Sequence, residues 1–80
     1  MYRAIKDRII IKLDILEEKG NLILEPYKFR NIGTVIGVGE DVKDVRVGEK
    51  IIFWPFHEIE LPEADLAIIR EKSVLGILRN

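Results

Sequence analysis

Two apolar runs punctuated by glycine constrain the fold of this chain more than any other feature. The first is Gly33–Gly39 (Gly-Thr-Val-Ile-Gly-Val-Gly), and the second is Val45–Phe53 (Val-Arg-Val-Gly-Glu-Lys-Ile-Ile-Phe). β-Branched residues favour pleated strands, and glycine suits turns and bulges. We therefore predict strands at Thr34–Val38 and Ile51–Trp54. Gly37, inside the first of them, predicts a bulge or a close backbone approach.

The segments around this centre also have mostly β character. Arg8–Ile15 alternates in its second half, with one face formed by Ile9, Ile11, Leu13 and Ile15; Ile10 interrupts the polar face, which we therefore expect to be partly covered. Glu58–Leu61 alternates, and Val74–Leu78 resembles a last strand. Pro62–Lys72 is the exception, because its early proline and acids and its late basic residues favour a helix.

Length and composition indicate one small globular domain. A chain of 80 residues buries only about 60% of its unfolded surface, so association with further copies is a common source of stability. A net charge of −1 gives no general attraction to nucleic acid or to anionic membranes. There is no cysteine, which excludes disulfides, thiolate metal sites and cysteine nucleophiles. No signal peptide or membrane-spanning run is present, and we expect a cytoplasmic protein.

Few residues of the chain could carry catalysis or bind a metal. His57 is the only histidine, and its neighbours Glu58 and Glu60 alternate along a strand, which makes a poor ligand set. Glu63 and Asp65 could pair as catalytic carboxylates, but most acidic surface residues have no chemical role. Ser73 is the only serine, and no serine–histidine arrangement supports hydrolysis. We therefore predict no metal, no cofactor and no enzymatic activity.

The glycines do not form a phosphate-binding loop. Gly37-Val-Gly39 lacks the third glycine of the dinucleotide fingerprint and is followed by Glu40 and Asp41, whose carboxylates would repel phosphate.

The connection between the first two strands contains two candidate binding segments. Leu22-Ile-Leu24 is a bulky apolar run that either folds back on the core or enters the groove of a partner. Tyr27-Lys-Phe-Arg30 interleaves aromatic and basic residues, as small barrels that bind single-stranded nucleic acid do. The residues alone leave open whether either segment binds a partner or packs on the barrel, although the chain has no wider basic surface for nucleic acid.

Segments spread over nearly the whole chain resemble motifs of the GroES-type co-chaperonins, the small ring-forming lids of chaperonin cages. Gly33–Phe53 is similar to the family's strand G-x-V-x-x-V-G followed by V-x-V-G-D-x-V-x-F. Ile5–Lys12 resembles the opening strand of the family, and Gly20–Leu24 falls where the family has the G-G-I-x-L motif of its mobile loop. Three later segments resemble the remaining strands of the family: Glu58–Leu61, Ala67–Glu71 and Val74–Leu78.

The resemblance implies an all-β, GroES-like barrel formed by residues 1–80, with a mobile loop at about 17–32 and a strand, not a helix, at Leu66–Ile69. It implies that the loop binds the apical domains of a GroEL-type chaperonin ring in an ATP-dependent manner, capping a chamber that holds a non-native client. The residues so implicated are Gly20, Asn21, Leu22, Ile23 and Leu24. It implies a homoheptamer in which the N-terminal strand of one subunit pairs with the C-terminal strand of the next, through Tyr2, Arg3, Ala4, Ile5, Val74, Leu75, Ile77 and Leu78. No nucleic acid or membrane is expected as a partner.

The chain departs from the family pattern in three places. The segment Leu13–Ile32 is shorter than usual, and no roof hairpin stands between Gly39 and Val45. Phe53-Trp-Pro-Phe-His57 replaces the usual F-x-x-Y-x-G-T. The missing roof is similar to phage-encoded members, for which the cytoplasm would be that of the host. A shortened loop also leaves open a ring-forming scaffold that no longer binds a chaperonin.

Overall fold

A computed structural model describes residues 2–14, 31–63 and 65–79 of the chain, and they form an all-β fold. The strands make one antiparallel sheet in the order β4-β5-β1-β2-β3-β6. Their bounds are β1 Arg8–Leu13, β2 Ile32–Val38, β3 Lys50–Phe53, β4 Ile59–Glu60, β5 Leu66–Arg70 and β6 Val74–Leu78, with a 3₁₀ turn at Glu71–Ser73 before β6. None of the helical structure in the described ranges has the length and apolarity needed to cross a membrane.

The sheet encloses a single hydrophobic core. Ile9, Ile11, Ile51 and Phe53 are completely inaccessible to solvent, although no second sheet or helical layer covers them within the described ranges. A flat sheet would leave one face wet, so the sheet must curl around its own inner face. This architecture confirms the predicted all-β fold and is consistent with the small barrel that the resemblance implies. The whole core cluster is Ile9, Ile11, Val35, Val45, Ile51, Phe53, Ala67 and Ile69.

Strand β1 confirms the predicted alternation and its interruption. Ile9 and Ile11 point into the core, whereas Ile10 lies on the opposite face. Ile10 is nevertheless only 3% exposed, and its partners across the sheet are Ile68 on β5 and Gly37 on β2. The second face of this strand is therefore covered at Ile10 and exposed at Lys12, which confirms the predicted partial covering. Ile15, the last residue of the predicted strand, lies outside the described residues.

The predicted irregularity at Gly37 is a β-bulge. Ile10 pairs with Gly37 and Ile11 pairs with Val35, so Ile36 is the additional residue on β2. A second bulge, which the sequence did not reveal, lies in β6, where Ile52 pairs with Gly76 and Phe53 with Val74. Leu75 is the additional residue there, and a bulge of this kind re-aims the side chains that follow it.

Three sequence-based assignments are corrected by the structure. Propensity was wrong in favouring a helix over Pro62–Lys72, where β5 and the 3₁₀ turn are found; Ala67 and Ile69 point into the core and pair with β1, and this pairing outweighs local preference. β3 ends at Phe53, one residue before the predicted end at Trp54. Pro55, which follows Trp54, has no backbone N–H to donate to a continuing strand. β4 comprises only the two central residues of the predicted Glu58–Leu61 strand.

The loop between β2 and β3 follows the predicted course. Residues 39–44 contain no strand, and Val45 is buried in the core. The turn after it is closed by a hydrogen bond from Glu49 N to Arg46 O (3.1 Å), and Gly48 there has φ 99°. That backbone conformation is readily accessible only to glycine.

Candidate functional site

The connection that carries the predicted partner-binding residues begins and ends at one place on the sheet. Leu13 pairs with Gly33, and Asp14 N donates a hydrogen bond to Ile32 O at 2.9 Å. The Asp14 carboxylate also lies 3.0 Å from Lys50 Nζ on β3. The described residues that flank 15–30 are therefore held together by contacts among β1, β2 and β3. The predicted binding residues themselves lie outside the described residues, as do the aromatic and basic residues of the alternative prediction: Gly20, Asn21, Leu22, Ile23 and Leu24, with Tyr27, Lys28, Phe29 and Arg30.

Asn31 fixes the returning end of this connection to β3. Its side-chain Nδ2 donates to Phe53 O at 3.0 Å, and its backbone oxygen accepts from Phe53 N at 3.0 Å. Ile32, the last residue of the predicted loop, already belongs to β2. Because Phe53 is completely buried in the core, this end of the connection is attached to one of the most rigid parts of the fold.

The N-terminal segment, residues 2–5, lies against its own subunit as irregular chain. Ala4 is buried, whereas Tyr2, Arg3 and Ile5 are exposed. A hydrogen bond between the Tyr2 hydroxyl and the Glu63 carboxylate raises the pKa of Tyr2 and lowers the pKa of Glu63. This segment therefore presents two accessible apolar side chains, Tyr2 and Ile5.

Strand β6 is an edge strand of the sheet, and like the N-terminal segment it has both buried and exposed apolar side chains. Val74 and Ile77 pack against the core, and the bulge between them places Leu75 and Leu78 outside, 51% and 42% exposed. Gly76 adds no side chain to this outer surface. Of the eight residues predicted for a subunit interface, the structure thus leaves four large apolar side chains accessible: Tyr2, Ile5, Leu75 and Leu78.

The turn after β3 is tied to the 3₁₀ turn and displays an aromatic ring. Trp54 N donates to Ser73 O at 3.0 Å, and His57 Nδ1 lies 2.9 Å from the buried Ser73 Oγ. Between them, Phe56 has φ 69° and is 91% exposed. The described contact of His57 thus links the turn after β3 to the 3₁₀ turn.

The other candidate catalytic groups have contacts typical of turns. Glu63 binds Tyr2, and Asp65 has φ 72° with its backbone oxygen accepting from Leu13 N at 2.6 Å. Asp tolerates this left-handed conformation better than most residues, which accounts for its place before β5. Within residues 2–14, 31–63 and 65–79, no three histidine or acidic side chains come together as a metal site requires.

Sequence reasoning missed two carboxylates that organise one end of the barrel, Asp7 and Glu71. Asp7 receives hydrogen bonds from Arg8 and Arg70, and Glu71 receives them from the backbone of Lys43 and Asp44. Neither residue belongs to a spacing pattern that indicates such a role. Their only signals are a position beside a predicted strand and their place in Ile5–Lys12 and Ala67–Glu71, two of the segments that resemble family motifs.

The curated proteins described below as similar to this chain all have the same name. No protein-family model matches the chain. Among curated proteins, it is 30% identical over 83 aligned residues to the "Co-chaperonin GroES" of Thermodesulfovibrio yellowstonii, covering 95% of this chain and 94% of that protein. It is 34% identical to the protein of the same name from Rhizorhabdus wittichii, and 32% identical to that of Zymomonas mobilis. Both alignments cover 96% of this chain and 97% of the relative.

Proposed function

This chain belongs to the GroES family of co-chaperonins, which act in chaperonin-assisted protein folding, and from this premise we propose that it is a co-chaperonin subunit whose β1–β2 connection binds a chaperonin ring. The observation that supports the proposal best is the base of that connection. The residues on either side of it, Asp14 and Asn31, are both hydrogen-bonded to the sheet. The apolar run Leu22–Leu24 then inserts into an apolar groove of the apical domains.

The energetics of such a contact favour many weak interactions over one strong one. Full burial of Leu22, Ile23 and Leu24 supplies about 1.5–3 kcal/mol each. Fixing the backbone costs about 1–2 kcal/mol for each residue that becomes ordered. The two contributions nearly cancel for one loop, so a single subunit binds weakly. Several loops on one ring bind together because each later contact forms at high effective concentration.

Multivalency requires assembly, and the accessible apolar side chains support a ring. In this proposal the N-terminal segment of one subunit pairs with β6 of the next, which brings Tyr2 and Ile5 against Leu75 and Leu78. The pairing covers an open sheet edge that would otherwise promote aggregation. We propose a heptamer that caps the chamber of a GroEL-type chaperonin in the presence of ATP and encloses a non-native client protein. It would act in the cytoplasm, that of the host if the protein is phage-encoded.

The decisive experiment is Ile23→Asp with Val47→Asp as its matched control. Val47 is also apolar and exposed, but it lies in the turn before β3. Both variants should form the same oligomer as the wild type by native mass spectrometry. Only Ile23→Asp should lose retention by an immobilised chaperonin ring with ATP, because a desolvated charge replaces the central apolar contact. Undiminished retention of Ile23→Asp would exclude the proposed binding mode, and rings of wild-type protein that fail to bind would point to a scaffold.

A further inference from the structure

Asp7 joins the base of the N-terminal segment to the residues that lead into β6. Its backbone oxygen accepts a hydrogen bond from Glu71 N at 2.9 Å. Its carboxylate accepts from Arg70 Nε at 3.1 Å through Oδ2, and from the Arg8 guanidinium at 3.4 Å through Oδ1. Backbone and side chain of one residue thus connect the start of β1 with the end of β5.

Glu71 extends this connection to the loop between β2 and β3. Its Oε2 accepts from Asp44 N at 2.7 Å and from Lys43 N at 3.0 Å, and its Oε1 lies 3.2 Å from Lys43 N. Charge-assisted bonds to backbone N–H groups are among the stronger hydrogen bonds in proteins. The loop between β2 and β3 is therefore hydrogen-bonded to Glu71, the first residue of the 3₁₀ turn.

The same loop also holds the N-terminal segment from the other side. Lys6 N donates to Glu40 Oε1 at 3.1 Å, and Asp41 N donates to Lys6 O at 2.9 Å. Gly39 lies so close to the backbone of Ile5 and Lys6 that a Cβ at this position would overlap their carbonyl groups. We call the group formed by Lys6, Asp7, Gly39–Asp44, Arg70 and Glu71 the junction.

The two surfaces proposed for assembly leave the junction with almost no intervening chain. The N-terminal segment ends at Ile5, directly before Lys6. β6 begins at Val74, after a 3₁₀ turn of three residues that starts at Glu71. A short hydrogen-bonded turn does not act as a flexible linker, so the direction of each surface is determined by the junction.

Direction matters because the proposed interface is head-to-tail. A heterologous interface closes into a ring only when the rotation from one subunit to the next divides a full turn, and otherwise gives open chains. In this fold that rotation depends on the angle between the N-terminal segment and β6. We propose that the junction fixes this angle, and that Asp7 and Glu71 thereby determine the number of subunits at which the ring closes. The inference depends on the ring assembly proposed above.

The test is native mass spectrometry of the full chain carrying Glu71→Ala or Asp7→Ala, with Asp14→Ala as the control. Asp14 also forms an ion pair on the sheet, with Lys50, but at the far end of β1 from Asp7. Wild-type protein and Asp14→Ala should show one dominant stoichiometry. Both junction variants should lose it and show two or more ring sizes or open oligomers, while circular dichroism still reports the β fold.

The outcomes separate this inference from the proposed function. If folded Glu71→Ala and Asp7→Ala give the same single stoichiometry as Asp14→Ala, the junction does not set ring size and the inference is wrong, although the co-chaperonin proposal stands. If the wild type forms no ring, the proposed assembly itself fails. Should Glu71→Ala lose its β signal, Glu71→Gln is judged by the same criterion, because it keeps one acceptor oxygen and loses the charge.

Discussion

Arg8 and Arg70 lie directly opposite each other on β1 and β5, and the carboxylate of Asp7 forms an ion pair with each of them. Like charges in facing positions of a sheet repel each other, so this pair would destabilise the strands without a counter-ion. Each Asp7 oxygen contacts a different arginine: Oδ2 lies 3.1 Å from Arg70 Nε, and Oδ1 lies 3.4 Å from the Arg8 guanidinium. Asp7 therefore reduces the repulsion between these two arginines, in addition to its contacts in the junction.

The first prediction concerns the pH dependence of Asp7→Asn. Partial desolvation of the Asp7 carboxyl raises its pKa, but the hydrogen bond and charge of Arg70, with a smaller effect of Arg8, leave the pKa below its ordinary value. A lowered folded-state pKa stabilises the protein fully above the unfolded value of about 4, and this contribution disappears as the pH falls through the folded value. Asp7→Asn should therefore unfold more easily than the wild type near neutral pH.

Urea denaturation of both proteins from neutral pH down into strong acid measures this difference. It should shrink as the pH falls below about 4 and vanish once the carboxyl of the wild type is protonated. A difference in the free energy of unfolding that stays constant over the whole range would mean that the charge of Asp7 contributes nothing to stability.

Features with a local sequence signal could be predicted, whereas features that depend on contacts between distant residues could not. Strand β1 and the bulge at Gly37 were predicted because period-two alternation and a glycine inside a strand are local signals. Strand β5 could not be predicted from local signals, because its local preference is helical and its conformation depends on pairing with β1. The family resemblance correctly implied a strand there. The contacts of the junction could not be predicted from local patterns, because they join residues that are distant in the chain: Asp7 and Arg70 are 63 positions apart, and Asp44 and Glu71 are 27 apart.

The second prediction tests the close approach at Gly39. Gly39→Ala should lower the free energy of unfolding by about 1–3 kcal/mol, because the new methyl group overlaps backbone atoms of Ile5 and Lys6 that cannot rotate away. Gly76→Ala is the control, since a Cβ there meets only Ile52 Cγ2 at 3.7 Å, an ordinary contact. Equal unfolding midpoints for the two variants in urea would show that the N-terminal segment is not packed against Gly39.

The third prediction compares two phenylalanines three residues apart. Phe53→Ala should destabilise the fold by about 3–5 kcal/mol, because it leaves a cavity in a completely buried part of the core. Phe56→Ala should change stability by less than about 0.5 kcal/mol, since that ring is 91% exposed. Thermal unfolding of both variants at neutral pH measures the contrast. A large loss of stability in Phe56→Ala would mean that its ring packs against the protein.

The fourth prediction is that Ser73 and His57 act as one unit in holding the turn after β3. Ser73 is buried and its Oγ lies 2.9 Å from His57 Nδ1, so Ser73→Ala should cost about 0.5–1.5 kcal/mol of stability, the usual net value of one hydrogen bond. His57→Ala removes the same bond from the other side. The double variant should then be less destabilised than the sum of the two single variants, because the bond can be lost only once. Trp54, the single tryptophan of the chain, lies in this turn and reports its opening by fluorescence. Strictly additive losses in the free energy of unfolding would show that the two side chains contribute independently and that the turn is held by its backbone bonds alone.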